Sequence, residues 1–397
     1  MITIVYPTDP LGVVPGGTDT CIRDILRCAP KDLEMQIVGV STDSKARPIG
    51  RWTECEVSGR KFKFYPVLAV DDLEKQMKIP LSLQFTLRLI TYRRVFHNST
   101  VIQLNRIEPF LALLNIRAPK LLIIHQNMNV LKSKSSDIRW KYLPGLYFKF
   151  EGFVIRRMRE VFIVREDAVH EYRHRFPKQK DSIHFLPTWM NPALFFYVSE
   201  QEKKLKREEL PAIKVGENEQ LIIFVGRLDH QKDPLYLIDI LTSLKSKRRG
   251  WKMLVIGDGV LRKQVETSIK DNDLEGDVFL LGAVSQDRVA EYLRLSDLLL
   301  LSSAYEGMPR CVVEALGCGV PVVTTNAGEV TRLIKQGENG YIVEEKDPDR
   351  FSDYIISTLD NIASFRGRPC LDAVEAFRAD KVLETLYETY RELGERK

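Results

Sequence analysis

Short runs of β-branched and aliphatic residues alternate along this chain with longer stretches in which apolar residues recur every three or four positions. Runs at 2–5, 35–40, 101–104, 121–125 and 161–164 predict strands. The helical spacing over 18–28, 81–96 and 139–158 predicts helices between them. The series then starts again. Strands are predicted at 221–225, 252–256, 278–280, 298–301 and 321–324, with helices at 234–245, 260–270, 288–295 and 310–317. Strands that alternate with helices make parallel, doubly wound sheets, so two α/β units of similar size are expected. A last helical pattern follows over 371–393, in Val374, Phe377, Val382, Leu386, Tyr390 and Leu393. The charged stretch 200–219, with Lys203-Lys204-Leu205-Lys206-Arg207, reads as a solvated insertion near the linker.

Composition narrows the class. A length of 397 residues with 44% hydrophobic and 28% charged positions suits two or three globular domains and excludes a disordered or collagen-like chain. No apolar run reaches the roughly 18–20 residues of a membrane-spanning helix. The start, Met1-Ile2-Thr3-Ile4-Val5-Tyr6-Pro7, has no basic segment and meets proline early, unlike a signal peptide. A soluble, cytoplasmic protein is the expectation. Six cysteines form no C-x-x-C pair and no histidine stands at zinc-ligand spacing from them, so buried free thiols are the expectation.

Charge is uneven. Residues 1–200 carry 30 basic and 20 acidic side chains, against 29 and 34 in the rest. The excess concentrates over 75–165, with 17 basic and 4 acidic. That asymmetry points to something anionic, or to a solvated basic surface with no partner. No helix-turn-helix, zinc-finger or RNP pattern accompanies it, so nucleic acid is not expected. The stretch 140–150 mixes aromatics with lysine, as an interfacial helix does, or as a core helix with a basic outer face does.

In doubly wound folds ligands gather at the carboxyl ends of the strands, which puts the loops of the second half in focus. In Gly226-Arg227-Leu228-Asp229-His230-Gln231-Lys232, two cations five residues apart follow a strand; they suit a diphosphate or are merely two surface charges. Gly257-Asp258-Gly259 lets a ligand approach the backbone or makes a tight turn. Glu306-Gly307-Met308-Pro309 precedes a helix holding Glu314; Pro309 suits its first position, and the positive helix end is ready for an anion. Carboxylates at Glu306 and Glu314 suit sugar hydroxyls, or are acids favoured by the dipole.

Together these residues resemble the donor-binding half of retaining glycosyltransferase family 4, over residues 221–345. The E-x7-E spacing of Glu306 and Glu314, Gly226-Arg227 with Lys232, Gly257-Asp258-Gly259, Glu306-Gly307-Met308-Pro309 and Gly319-Val320-Pro321-Val322-Val323 carry it. In the first half the likeness is fainter: Gly16-Gly17 resembles the family's glycine loop and His125 its histidine. The resemblance implies an α/β GT-B fold, two Rossmann-like domains facing across a cleft: 1–190 for the acceptor, 191–370 for the donor, and a helix at 371–397 packing back on the first domain. It implies a sugar moved with retention from a nucleoside-diphosphate donor, UDP in preference to GDP, to a glycan or lipid-linked acceptor, with no obligatory metal and no further cofactor. Arg227 and Lys232 would hold the diphosphate, Glu314 the ribose, and Glu306 with Gly307 and Met308 the sugar and phosphate. Gly16 and Gly17 would admit phosphate and acceptor, and His125 would reach the sugar. The basic segment 75–165 would then meet an acidic acceptor or an anionic membrane. Two departures stand out. Leu186-Pro187-Thr188-Trp189-Met190-Asn191-Pro192 replaces an Asn-Gly-Val-Asp run, and Arg165 replaces a serine. Competing readings are an epimerase or hydrolase of the same fold, a glycosidase using the two glutamates, and a non-catalytic scaffold at a membrane.

Overall fold

A computed structural model describes residues 1–12, 17–70, 79–125, 144–208, 215–216 and 218–395. It divides into two compact units, Met1–Pro187 with Val382–Lys397, and Thr188–Lys381. The first is discontinuous in sequence and the second continuous.

The first unit is built on an eight-stranded sheet: β1 (Ile2–Val5), β2 (Met35–Ser41), β3 (Thr53–Val57), β4 (Arg60–Ala69), β5 (Val101–Leu104), β6 (Lys120–Ile124), β7 (Glu160–Ile163) and β8 (Ile183–Phe185). The order is β3-β4-β2-β1-β5-β6-β7-β8. All pairs are parallel except the hairpin of β3 and β4. β1, β2 and β5 are buried along their whole length, which is why they read as continuous β-branched and aliphatic runs. The hairpin was not anticipated, although its alternation in Thr53-Glu54-Cys55-Glu56-Val57 and the positive φ of Ser58 and Gly59 at its turn are the ordinary hairpin signals.

The second unit carries β9 (Gln220–Val225), β10 (Trp251–Ile256), β11 (Val278–Gly282), β12 (Leu298–Leu301), β13 (Val322–Thr325) and β14 (Gly340–Val343). Their order is β11-β10-β9-β12-β13-β14, all parallel. The chain leaves β9 toward β10 on one side and later returns to its other side as β12. The two halves therefore diverge between β9 and β12, the switch point where doubly wound sheets hold ligands.

Three expectations need correction. The tail is not one helix packed on the first unit from residue 371. Arg368–Val374 is a separate helix in the second unit, and only the helix Ala379–Glu395 passes into the first, from Val382. There Tyr387 donates to the Ile25 carbonyl at 2.8 Å and Arg391 pairs with Asp32 at 2.8 Å. The charged stretch 200–219 is not merely solvated. Its helix Glu200–Glu208 places Lys203 and Arg207 on the buried Asp297, at 2.7 and 2.6 Å. Asp297 also accepts the Leu221 N–H at 2.7 Å, so it pins this helix to the start of β9. Finally, the predicted helix over 81–96 stops at Thr91 and tightens into a 3-10 turn, Arg93–Phe96.

Candidate functional site

At the switch point of the second unit, the loops following β9 and β12 are cross-braced by hydrogen bonds. Ser302 Oγ donates to the Lys232 carbonyl at 2.9 Å, and Ala304 N–H to the Gln231 carbonyl at 2.8 Å. Asp229 Oδ1 accepts the N–H groups of Gln231 and Lys232, both at 3.1 Å, and so shapes the loop that presents Lys232. The Lys232 ammonium meets Glu306 Oε1 at 2.5 Å, and that same oxygen accepts from Ser303 Oγ at 2.7 Å. Burial works against the charge on Lys232, yet the Glu306 carboxylate outweighs it and holds the ammonium above its usual value. Arg227 stands at the surface, its guanidinium on Asp229 at 3.0 Å. The structure thus brings Arg227, Lys232 and Glu306 onto the same two loops, with each cation resting on a carboxylate.

Glu314 belongs to the same cluster from the helix Arg310–Gly317. It is buried and takes Arg310 Nε at 2.7 Å, a pairing one helical turn long. The buried Cys311 lies close to both glutamates and to Lys232. Burial pushes its thiol up to about 11; Lys232 opposes this, and Glu306 and Glu314 add to it. Pro309 stands one position earlier than expected, as the residue before the first helical turn, and no side chain caps that end. The Val312 N–H turns back to the Pro309 carbonyl at 3.1 Å, and the positive end of the helix favours an anion there. Met308 is buried beside it.

The glycines have a reason that spacing alone does not reveal. A Cβ on Gly257, whose φ is +134°, would lie 1.9 Å from the Gly226 carbonyl oxygen, and one on Gly259 would lie 2.4 Å from that of Leu228. The loops after β9 and β10 run backbone against backbone here, with Leu228 N–H on the Asp258 carbonyl at 2.9 Å. Gly257, Asp258 and Gly259 hold the Arg227 loop in place whether or not a ligand touches them. In the same way the turn at Gly328 leans on Gly307, whose carbonyl accepts the Glu329 N–H at 2.8 Å.

In the first unit His125 follows β6 directly, one strand beyond that unit's own switch point between β1 and β5. Its Nε2 lies 3.1 Å from Asn105 Oδ1, beside a small pocket lined also by Tyr6, Arg106, Glu108 and Tyr147. Asn105 Oδ1 accepts from Gln103 Nε2 at 3.2 Å, and Gln103 Oε1 accepts from the buried Tyr390 hydroxyl of the last helix. A chain of hydrogen bonds thus links the helix Ala379–Glu395 to His125. Gly17 opens the helix Gly17–Arg27 with nothing within 4 Å of a would-be Cβ, so the fold does not require glycine there. Gly16 lies outside the described residues, as do 71–78 and 126–143 of the basic segment. Of the two departures, Arg165 precedes the helix Glu166–Arg175 and pairs with Asp167. In the other, Trp189 is fully buried and Met190 exchanges backbone hydrogen bonds with Phe377 and Ala379, at 2.9 and 2.8 Å. Sequence reading missed Arg310, Ser303 and Asn105. Only the first had a signal, its position four residues before Glu314.

Comparison with known proteins fits this geometry. Residues 206–366 match the family model described as glycosyl transferases group 1. An uncharacterized glycosyltransferase of Methanocaldococcus jannaschii is 28% identical over 190 residues, 48% of either chain. The N-acetyl-alpha-D-glucosaminyl L-malate synthase of Bacillus anthracis is 27% identical over 241 residues, 59% of this chain and 61% of that one. The matches therefore span only about half to three fifths of these curated relatives. The fold is similar over nearly the whole length to Anabaena HepE, solved in complex with UDP and glucose. There the TM-score is 0.73 at 17% identity, covering 98% of this chain and 99% of that one.

Proposed function

We propose, starting from the group 1 glycosyl transferase domain that residues 206–366 form within a GT-B fold, that the chain is a retaining glycosyltransferase. It moves a hexose or N-acetylhexosamine from a nucleoside-diphosphate sugar to a hydroxyl of a glycan or lipid-linked glycan. The observation that carries this reading is the meeting of Lys232, Arg227, Glu306 and an uncapped helix end at the switch point of the second sheet. Breaking a sugar–phosphate bond builds negative charge on the leaving diphosphate. Fixed cations and helix amides aimed at that charge are typically worth ~2.7–4 kcal/mol per donor. Lys232 and Arg227 supply it, so no metal is assigned to the step. When the diphosphate arrives, Lys232 is shared between it and Glu306, which frees an oxygen of Glu306 for a sugar hydroxyl. Glu314 is assigned to the ribose and His125 to the transferred sugar. The UDP bound by HepE supports a uridine donor over a guanosine one.

Calorimetric titration of UDP and of GDP into the wild-type chain and into Arg227→Ala/Lys232→Ala tests the donor site. UDP is expected to bind the wild type, and the double variant to lose that heat. If neither nucleotide binds wild-type protein, the diphosphate assignment falls.

A further inference from the structure

The sequence leaves the aromatic stretch 140–150 open, as an interfacial helix or as a core helix with a basic outer face. Tyr147, Phe148 and Phe150, on the helix Pro144–Ile155, pack against the core of the first unit, and residues 140–143 lie outside the described part. That helix exposes Leu146, whereas the helix Leu81–Thr91 exposes several aliphatic side chains together. Its inner face is closed by Phe85 and Leu89, which are fully buried. Its outer face carries Leu83, Leu87 and Ile90 at helical spacing; Ile79 precedes it, and Leu111 and Leu114 lie in and just after the 3-10 segment Glu108–Leu113 that packs beside it; all six are 46–56% exposed. A helix apolar on both faces has a second surface to bury.

The charge around this stripe indicates what covers it. From Ile79 to His125 there are six Lys and Arg and a single acid, Glu108, which is held by Arg106 at 3.1 Å. Arg88, Arg93 and Arg94 are exposed and make no ion pair with a described residue. A second copy of the chain, docked stripe to stripe, would bring these like charges together. Nucleic acid would gain nothing from six aliphatic side chains. A bilayer with anionic headgroups satisfies both features, since aliphatic side chains enter the acyl boundary while arginines stay at the phosphates.

We infer that the helix Leu81–Thr91, with Arg88, Arg93 and Arg94, is the face by which this chain lies on an anionic lipid surface. The inference deepens the acceptor part of the proposed function and rests on that reading for its purpose, though not for its test.

The test is co-sedimentation of the full chain, without nucleotide, with phosphatidylglycerol vesicles and with phosphatidylcholine vesicles. Wild type is expected to bind the first, weakly or not at all the second, and less as salt rises. Arg88→Ala/Arg93→Ala/Arg94→Ala should weaken partitioning on the order of a hundredfold. Leu83→Gln/Leu87→Gln/Ile90→Gln should abolish it, with Leu87→Gln alone as the milder form should the triple variant fold poorly. Leu146→Gln/Lys149→Ala should bind like wild type. UDP calorimetry on the same variants reads the donor site separately, so failure of one reading is distinguishable from failure of the other. The inference is overturned if the stripe and arginine variants bind as wild type, if only the 146/149 variant loses binding, or if light scattering shows a wild-type dimer that the leucine changes dissociate.

Discussion

The contact between Lys232 and Glu306 decides how the proposed donor site is poised. Glu306 keeps the buried Lys232 charged, and it also competes for Lys232 with any incoming diphosphate. Glu306→Gln should therefore separate binding from turnover. UDP should bind as well as or several-fold better than to wild type, because the competing charge is gone, while turnover falls on the order of a hundredfold. The pH dependence should change too. Burial lowers the lysine and Glu306 raises it, so without Glu306 the Lys232 value drops. Its cationic form is then lost at lower pH than in wild type, and UDP affinity in the variant should weaken as pH rises toward about 10.5, the ordinary lysine value, where wild type still holds. Calorimetry across that range checks it; parallel pH curves would refute the pairing. Most of this site was legible as residue types in spacing, because cations and carboxylates beside strand ends announce themselves. What was not legible was their pairing. Spacing cannot tell that Arg310 takes Glu314, or that Gly257 lies against the Gly226 carbonyl, since both depend on what the fold brings opposite.

Among the elements, the helix Glu200–Glu208 was the one most misread. Its run of lysines and arginine looks like a solvated face, and the residue that makes it otherwise, Asp297, is about ninety positions away in sequence. Asp297 is buried, which pushes its carboxyl up, but Arg207, Lys203 and the Leu221 N–H overcome that and hold it below the usual carboxylate range. Lys203 is itself lowered by burial, more than Asp297 restores. Removing the carboxylate leaves cations stranded, so Asp297→Ala should cost about 3–5 kcal/mol, as when one partner of a buried ion pair is removed. A solvated helix would lose no more than about 0.5 kcal/mol. The sign of the pH effect follows from the depressed value. The stabilisation by Asp297 is complete above the unfolded carboxyl value of about 3.9 and is lost as pH falls through the lower folded value. Urea unfolding of wild type and Asp297→Asn at pH 7, 4 and 3 should show their difference shrinking with acid. Ten of the strands, by contrast, were legible nearly to the residue, because parallel strands inside a sheet read as apolar runs, whereas the short edge strands β8 and β14 were not predicted. β3 and β4 make a half-exposed edge hairpin, and that pattern is easily lost among polar neighbours.

The molecule is two units of unequal independence. The second, Thr188–Lys381, is one continuous segment with its own core and the predicted donor residues from Gly226 to Glu314. The first draws its closing helix from the far end of the chain: Leu383, Leu386, Tyr387, Tyr390 and Leu393 are all buried against it. At about 1.5–3 kcal/mol for each buried apolar side chain, those five contribute on the order of 10 kcal/mol. That is comparable with the ~5–15 kcal/mol by which a whole domain is stable. A chain ending at residue 381 should therefore lose the first unit while keeping the second. Calorimetric scanning should show one transition gone, and UDP should bind the shortened chain with wild-type affinity. Turnover should vanish, because the Tyr390 hydroxyl that begins the hydrogen-bond chain to His125 goes with the helix. Tyr390→Phe separates the two effects: the first unit stays folded, UDP binding is unchanged, and any fall in turnover reads the orientation of His125 alone. If the shortened chain instead loses both transitions and UDP binding together, the second unit is not an independent folding body, and the donor site would have to be studied only in the intact chain.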